Sequence, residues 1–394
     1  MERSSLGKSV RFIAFCPTRG YHRSVLAGCE TATAEAGEMA LGVVMGRLAI
    51  GRMLMQKVDL DRFQTSGILG TGADYEVRAA VDQETGKQVV LKRPVPQMIS
   101  RGMHVSTEER TDRTIQVLEQ IGQTNENLVP MVGYTERAIH DQFYGDSLGQ
   151  EYRVIVEERA KGIPLMVGDM RARITGVPTG VGQNLFALHP LLRPPDRAPF
   201  AVHEQLLTLE ESFIQIGYIL LDLRPQNLFY QPSTGHITVV DCGDLVSVDG
   251  EPDRRGRPPR DIHDFCLEML KFYATPRTPP EAAADYRDPY GQRPVVNFLE
   301  ELDEMAAAFG ETDEPVRTAA LDMIARVHDR SYTDLAGFRQ DLNSYLTAVD
   351  QRDDDLEGME QMRLAWGEAL NWLKEDHWNK YLFDAEVELA AYDR

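Results

Sequence analysis

The chain of 394 residues carries 62 Asp and Glu against 42 Lys and Arg, a formal charge of −20, and a field of that sign repels phosphate backbones, which excludes a general nucleic-acid binder. Hydrophobic residues make up 42%, enough for a sizeable core, yet no apolar run reaches the roughly 20 residues of a membrane-spanning helix, since the longest, 39–50, is broken by Arg47. Cys16, Cys29, Cys242 and Cys266 are too scattered for a zinc ribbon or a disulfide framework, so a reducing cytoplasm is the expected home.

Residues 1–57 read as an N-terminal extension without a catalytic pattern, rich in Ala, Met and Leu from 30 onward and therefore helical. Leu26-Ala27-Gly28-Cys29 is like a lipoprotein cleavage site, but Arg19, His22 and Arg23 interrupt the apolar stretch such a leader needs. The next unit, 58–160, opens with Gly67-Ile68-Leu69-Gly70-Thr71-Gly72 between two strand-like segments. Glycines there let backbone N–H groups approach an anion with no Cβ in the way. The alternation over 77–81 and 88–92 predicts paired strands around the turn Glu84-Thr85-Gly86-Lys87, and 108–121 has the composition of a helix. A further strand is expected at 152–156, and a connection at Glu157-Glu158-Arg159-Ala160.

The third unit, 161–349, begins with a Gly- and Pro-rich insertion, 161–200, of a kind more often functional than packed. An amphipathic helix over 201–216 leads into Leu221-Asp222-Leu223-Arg224-Pro225-Gln226-Asn227, and the apolar run Ile237-Thr238-Val239-Val240 then ends in Asp241-Cys242-Gly243. An acid, an Asn five residues on and a second acid at the end of a strand are what ATP-dependent phosphoryl transfer requires. Asp241 closing an apolar strand needs a cation or hydrogen bonds to be tolerated there. The basic run Arg254-Arg255-Gly256-Arg257-Pro258-Pro259-Arg260 is either a solvated loop or an anion contact. Helices follow near 261–274, 295–309, 315–328 and 334–348. The tail 350–394 holds 13 acids against 5 bases, with Met359, Met362, Trp366, Leu370 and Leu373 in one helical stripe. That stripe either packs on the body of the protein or offers a surface to a protein partner.

In this order the segments resemble the protein kinase superfamily: a glycine-rich loop, a strand ending in Lys92, an entry to a fourth strand at Asn127-Leu128-Val129-Pro130-Met131-Val132-Gly133-Tyr134, a catalytic loop, a metal-binding strand and a core helix opening at Asp261. The resemblance implies an α+β, bilobal protein kinase-like fold with a β-rich small lobe, a mainly helical large lobe and helical extensions at both ends. It implies ATP and Mg2+ as cofactors. The phosphates would lie under Gly70 and Gly72 and against Lys92, with Glu109, ahead of Glu108 and Glu119, as the partner of that Lys, and Val77 would also bind the nucleotide. Adenine would meet Glu157 to Ala160. Asp222 would face the acceptor hydroxyl, Arg224 the transferring phosphate, and Asn227 and Asp241 the magnesium.

Departures from the pattern are equally specific. Tyr75 replaces the third glycine, giving the loop a bulkier tip, and Cys242 stands where Phe is usual. Leu220 and Leu221 replace the His and Arg before the catalytic acid, which removes the counter-charge for a phosphorylated activation loop. Asp241 and Asp261 are only 20 positions apart, with no Ala-Pro-Glu motif between them. Three readings follow: a phosphotransferase of protein kinase type acting on Ser/Thr hydroxyls of a protein; a small-molecule kinase resembling aminoglycoside and choline phosphotransferases, its acceptor pocket built by 161–200; or a nucleotide-binding pseudokinase serving as a scaffold. The first is preferred, because a scaffold has no physical need of Lys92, Asp222, Asn227 and Asp241 together.

Overall fold

Strand alternation across residues 58–160 builds one sheet. β1 (Phe63–Thr71), β2 (Tyr75–Asp82), β3 (Gln88–Pro94), β4 (Met131–Tyr134) and β5 (Ile155–Glu158) form a five-stranded antiparallel sheet in the order β1-β2-β3-β5-β4. The structure, a computed structural model, describes residues 56–121, 125–164, 202–221, 223, 227–231, 234–242, 244–248, 250, 260–273, 298–310, 312 and 314–350. All belong to the second of the two units into which the chain divides, Arg52–Arg394. The expectations for the extension up to residue 55, for 165–200, for the tail from 351 and for Asp222 and Arg224 lie outside the described residues.

The turn between β2 and β3 forms where the sequence places it. Gly86 adopts φ +71° and donates its N–H to the Asp82 carbonyl at 2.8 Å. The Asp82 carboxylate accepts from Glu84 N–H at 3.1 Å and from the Thr85 hydroxyl at 2.6 Å, the self-bonding that makes Asp a turn residue. The same carboxylate takes both arms of Arg62, at 2.6 and 2.5 Å.

β5 corrects the expected fifth strand: it begins and ends later than 152–156, so Glu157 and Glu158 belong to the strand and not to the connection. Two adjacent acids read as a loop because a buried carboxylate is costly. Here Glu157 is neutralised by Lys92 and Glu158 by Lys87, at 2.8 and 2.5 Å, and the ladder continues with Val90 opposite Glu157 and Val89 opposite Glu158.

Side chains alternate across β3, so Val90 and Lys92 share one face while Val89, Leu91 and Arg93 share the other. Val89, Leu91 and Val156 are buried under Tyr144, Tyr152 and Val154, which come from the chain between β4 and β5. That segment contains α3 (Asp141–Tyr144), an element the sequence pattern does not announce. Arg93 is only 1% exposed, yet it is fully engaged: by Glu76 at 2.8 Å, by Asp146, and by the Tyr144 ring 3.9 Å from its guanidinium carbon. The opposite face meets α2 (Val105–Ile121), which starts before the expected 108 and follows the short α1 (Pro96–Ser100).

The remaining elements keep the predicted order. α4 (Val202–Ile214) buries Leu206, Leu209 and Phe213 at helical spacing. The strands β6 (Ile163–Pro164), β7 (Tyr218–Leu220), β8 (Leu228–Gln231), β9 (His236–Val239) and β10 (Leu245–Ser247) make two small sheets, β6-β8-β9 and β10-β7. The helices α5 (Ile262–Tyr273), α6 (Phe298–Ala308), α7 (Glu314–His328) and α8 (Leu335–Asp350) lie within a few residues of their expected spans. They close over a core that includes Leu220, Phe265, Leu270, Leu302, Ile324 and Leu342. No helix among the described residues is long and apolar enough to cross a membrane.

Candidate functional site

Two strand ends position the candidate residues. β7 stops at Leu220 and β8 starts at Leu228, directly after Asn227, while β9 delivers Val240 and Asp241 alongside. Val240 N–H donates to the Asn227 carbonyl at 2.9 Å, which draws the two expected metal residues together. β9 is in turn anchored to the chain that enters β4, through Val129 N–H to Val239 O at 3.0 Å and Val239 N–H to Asn127 O at 2.8 Å. The buried Asn127 amide donates to Ile237 O at 2.9 Å and to Gln205 Oε1 at 2.8 Å. Entry into the loop is held by Leu221 N–H on Asp244 O at 3.2 Å.

A buried acid braces that entry from below. Glu210, on α4, accepts the Leu220 N–H at 3.1 and 3.3 Å, and burial pushes its carboxyl well above the usual carboxylate range. Asp261 caps α5: it accepts His263 N–H at 2.8 Å and pairs with Arg330 at 2.6 Å. The Tyr332 N–H donates to His263 Nε2 at 3.1 Å, so the proton of that neutral imidazole sits on Nδ1, facing Asp261 Oδ1 at 3.0 Å.

Lys92 links the large sheet to this corner. It is 9% exposed; its ammonium donates to the Val240 carbonyl and is 2.8 Å from Glu157 Oε2. Burial works to lower the Lys92 pKa, but Glu157 and Asp241 more than reverse this and hold the ammonium above its ordinary value. Burial also pushes the Glu157 carboxyl up, against the pull of Lys92, and the charge of Asp241 acts in the same direction. The Lys92 ammonium thus answers to two acids, Glu157 by direct contact and Asp241 through its charge. The expected partner of Lys92, Glu109, lies on the exposed side of α2, which corrects that assignment. Glu108 is buried, but its carboxylate accepts from Arg137 Nε at 3.0 Å and from Arg153 N–H at 2.9 Å.

The face of α2 toward the site carries threonines instead of an acid. Thr107, Thr111 and Thr114 are all buried at helical spacing. Thr111 Oγ1 lies 2.7 Å from the Tyr75 hydroxyl, and Thr114 donates to Cys242 O at 3.3 Å. Arg110 grips Asp74 with both arms at 2.8 and 2.9 Å, and Arg113 reaches Leu245 O at 2.9 Å. Tyr75 is therefore not a bulky loop tip: its phenol is turned onto α2 and ties the glycine-rich hairpin to the helix. Burial, partly opposed by the bond to Thr111, pushes the Tyr75 phenol up to about 12.

The glycines of the hairpin are free of packing demands. A Cβ on Gly70 would meet nothing within 4 Å, and one on Gly72 only Tyr75 O at 3.8 Å. Val77 is directly opposite Lys92 in the β2–β3 register and shares its face. The structure thus brings Lys92, Val77, Glu157, Asn227 and Asp241 into one region, places Ala160 just beyond β5, and turns Glu109 away. The bridging Val240 carbonyl and the Tyr75 anchor carry no motif of their own in the sequence. Among the described residues no group of three or more His, Cys, Asp or Glu could hold a metal ion. No protein-family model matches the chain, and no curated protein matches it.

Proposed function

We propose that the chain is an ATP- and magnesium-dependent phosphotransferase of protein kinase type, with the bilobal architecture of that superfamily, acting on a hydroxyl of a protein. The observation that carries the reading is the double use of Val240: its carbonyl takes the Lys92 ammonium and its N–H binds Asn227. Lys92, Asn227 and Asp241 come together there from three separate stretches of sequence, which supports phosphate binding by Lys92 and magnesium ligation by Asn227 Oδ1 and the Asp241 carboxylate. Magnesium fits this donor set, because it takes hard oxygen ligands and is commonly held by one or two carboxylates together with substrate phosphates. When bound it would offset the charge of the phosphates.

In this reading Gly70 and Gly72 leave room for backbone to approach the phosphates, since neither is required by packing. Lys92 holds the phosphates, Asp222 orients the acceptor hydroxyl for in-line attack, and Arg224 stabilises charge on the transferring group. The adenine ring lies against Arg159 and Ala160. Cys242 and Cys266, both buried thiols, suit a reducing cytoplasm.

A second reading, phosphorylation of a small molecule, draws on the strand pairing after Asp241. β10 pairs with β7 almost at once, which leaves only 248–260 before α5 for any surface to hold a peptide.

Intact mass before and after incubation with magnesium and ATP tests the proposal, with the Asp222→Asn variant alongside. Added phosphate on the wild type alone establishes transfer and a protein acceptor. Nucleotide consumption with a hydroxylated metabolite but no added mass favours the second reading, and no binding of ATP overturns both.

A further inference from the structure

In the sheet register Lys92 is opposite Ile155 and Val90 is opposite Glu157, so Lys92 and Glu157 are diagonal neighbours on one face, within reach for two long side chains. That register lets Glu157 Oε2 approach the ammonium to 2.8 Å. An ammonium has three N–H donors. One goes to Glu157, a second to Val240 O, and among the described residues the third meets no acceptor. Two fixed bonds define the direction of the third.

Among the described residues no side chain of the helix bonds the Lys92 ammonium. Its buried acid, Glu108, is committed to Arg137 and the Arg153 backbone. α2 is fastened to the glycine-rich hairpin by Arg110 on Asp74 and Thr111 on Tyr75, and to the segment after Asp241 by Thr114 on Cys242 O and Arg113 on Leu245 O. We propose that Glu157 is the positioning residue of Lys92, aiming its ammonium at a nucleotide triphosphate from within the sheet, so that the grip on phosphate does not depend on the placement of α2. This rests on the phosphotransferase reading and identifies what sets its phosphate-binding cation.

Binding of Mg–ATP and of adenosine to the purified full chain, measured by calorimetry, separates orientation of Lys92 from simple neutralisation of a buried charge. Glu157→Gln keeps the volume and an acceptor but removes the charge. The expected result is a loss of about tenfold or more in ATP affinity, the scale of a charge-assisted hydrogen bond, with adenosine affinity unchanged. In the Lys92→Met background the same substitution has no further effect on ATP, because the two residues act as one unit. Glu108→Gln leaves the ratio of ATP to adenosine affinity as in the wild type.

The inference is overturned if Glu157→Gln binds ATP as the wild type does, weakens ATP and adenosine in equal proportion, or adds its effect to that of Lys92→Met. Should Glu157→Gln not fold, Glu157→Asp decides, since it keeps the charge but withdraws it from the ammonium. An ATP-selective loss then supports the proposal, and unchanged binding of both ligands overturns it. A wild type that binds no ATP, with Lys92→Met equally inert, overturns the phosphotransferase reading and the inference with it. A wild type that binds ATP through Lys92 without help from Glu157 overturns the inference alone.

Discussion

The backbone N–H of Val240 donates to the carbonyl of Asn227 at 2.9 Å. This bond uses no side chain, so it fixes Asn227 against the end of β9 whatever stands at the neighbouring position 241. Asp241→Asn should therefore leave the fold in place and remove only the carboxylate charge. Magnesium-dependent turnover is expected to fall by about 100-fold or more, on the scale seen when a group stabilising transition-state charge is removed, with an unchanged thermal midpoint. Turnover equal to that of the wild type would remove Asp241 from the site.

Tyr75 makes a different prediction, about the hairpin. Its hydroxyl is 2.7 Å from Thr111 Oγ1, and Tyr75→Phe removes that bond at a cost of about 1 kcal/mol. Amide hydrogen exchange in 67–75 should quicken while exchange in β3 and β5 stays as it was. With the phenol pushed up to about 12, the group remains neutral at pH 7 and at pH 9, so the difference between variant and wild type should be the same at both. A difference that changes between these values would mean that a tyrosinate is involved, contrary to the structure.

The parts of the fold legible in the sequence are those set by period and by turn chemistry. The β2–β3 hairpin follows from alternation around Gly86 and Asp82, and the helices from α4 onward follow from apolar spacing of three and four. Long-range pairing is not written in that pattern. Glu157 reads as a connection because a lone sequence cannot show that Lys92 will stand diagonally across the ladder, and an acid is admissible in a buried strand only with such a partner. Glu109 is attractive by spacing, but one residue along a helix is a rotation of about 100°, which is enough to move a side chain from the site to solvent. Val240 takes part through its backbone, which any residue type supplies, and so leaves no trace in composition.

Gly133 marks a close approach of backbones at the edge of the sheet. Tyr134 N–H donates to Gln56 O at 3.1 Å and Val58 N–H to Tyr134 O at 3.0 Å, forming a short parallel bridge around Lys57. A Cβ at Gly133 would run into the Gln56 carbonyl and come within 2.8 Å of Val58 Cγ1. Gly133→Val is expected to displace 56–58 from β4 and to lower stability by about 2 kcal/mol, as overpacking does. Limited proteolysis should then cut near residue 56 in the variant before the wild type. Equal resistance with equal stability would show that this edge has more room than the structure gives it.

Glu210 ties stability to pH with a definite sign. Burial raises its carboxyl well above the ordinary value of 4.5, so between the two the folded chain binds more protons than the unfolded one. Its contribution is full below the unfolded value and is lost as pH rises toward the folded one. The slope approaches about 1.4 kcal/mol per pH unit. Glu210→Gln keeps an acceptor for Leu220 N–H, now at 3.1 and 3.3 Å from the two carboxyl oxygens, and has no proton to lose. Chemical denaturation of both proteins from pH 4.5 to pH 8 should give stability curves that separate progressively, with the variant gaining relative to wild type as pH rises. Subtracting one curve from the other cancels the titration of every other group, Glu157 included. Parallel curves would mean that Glu210 carries its charge in the folded protein, and the neutral acid beneath Leu220 would have to be given up.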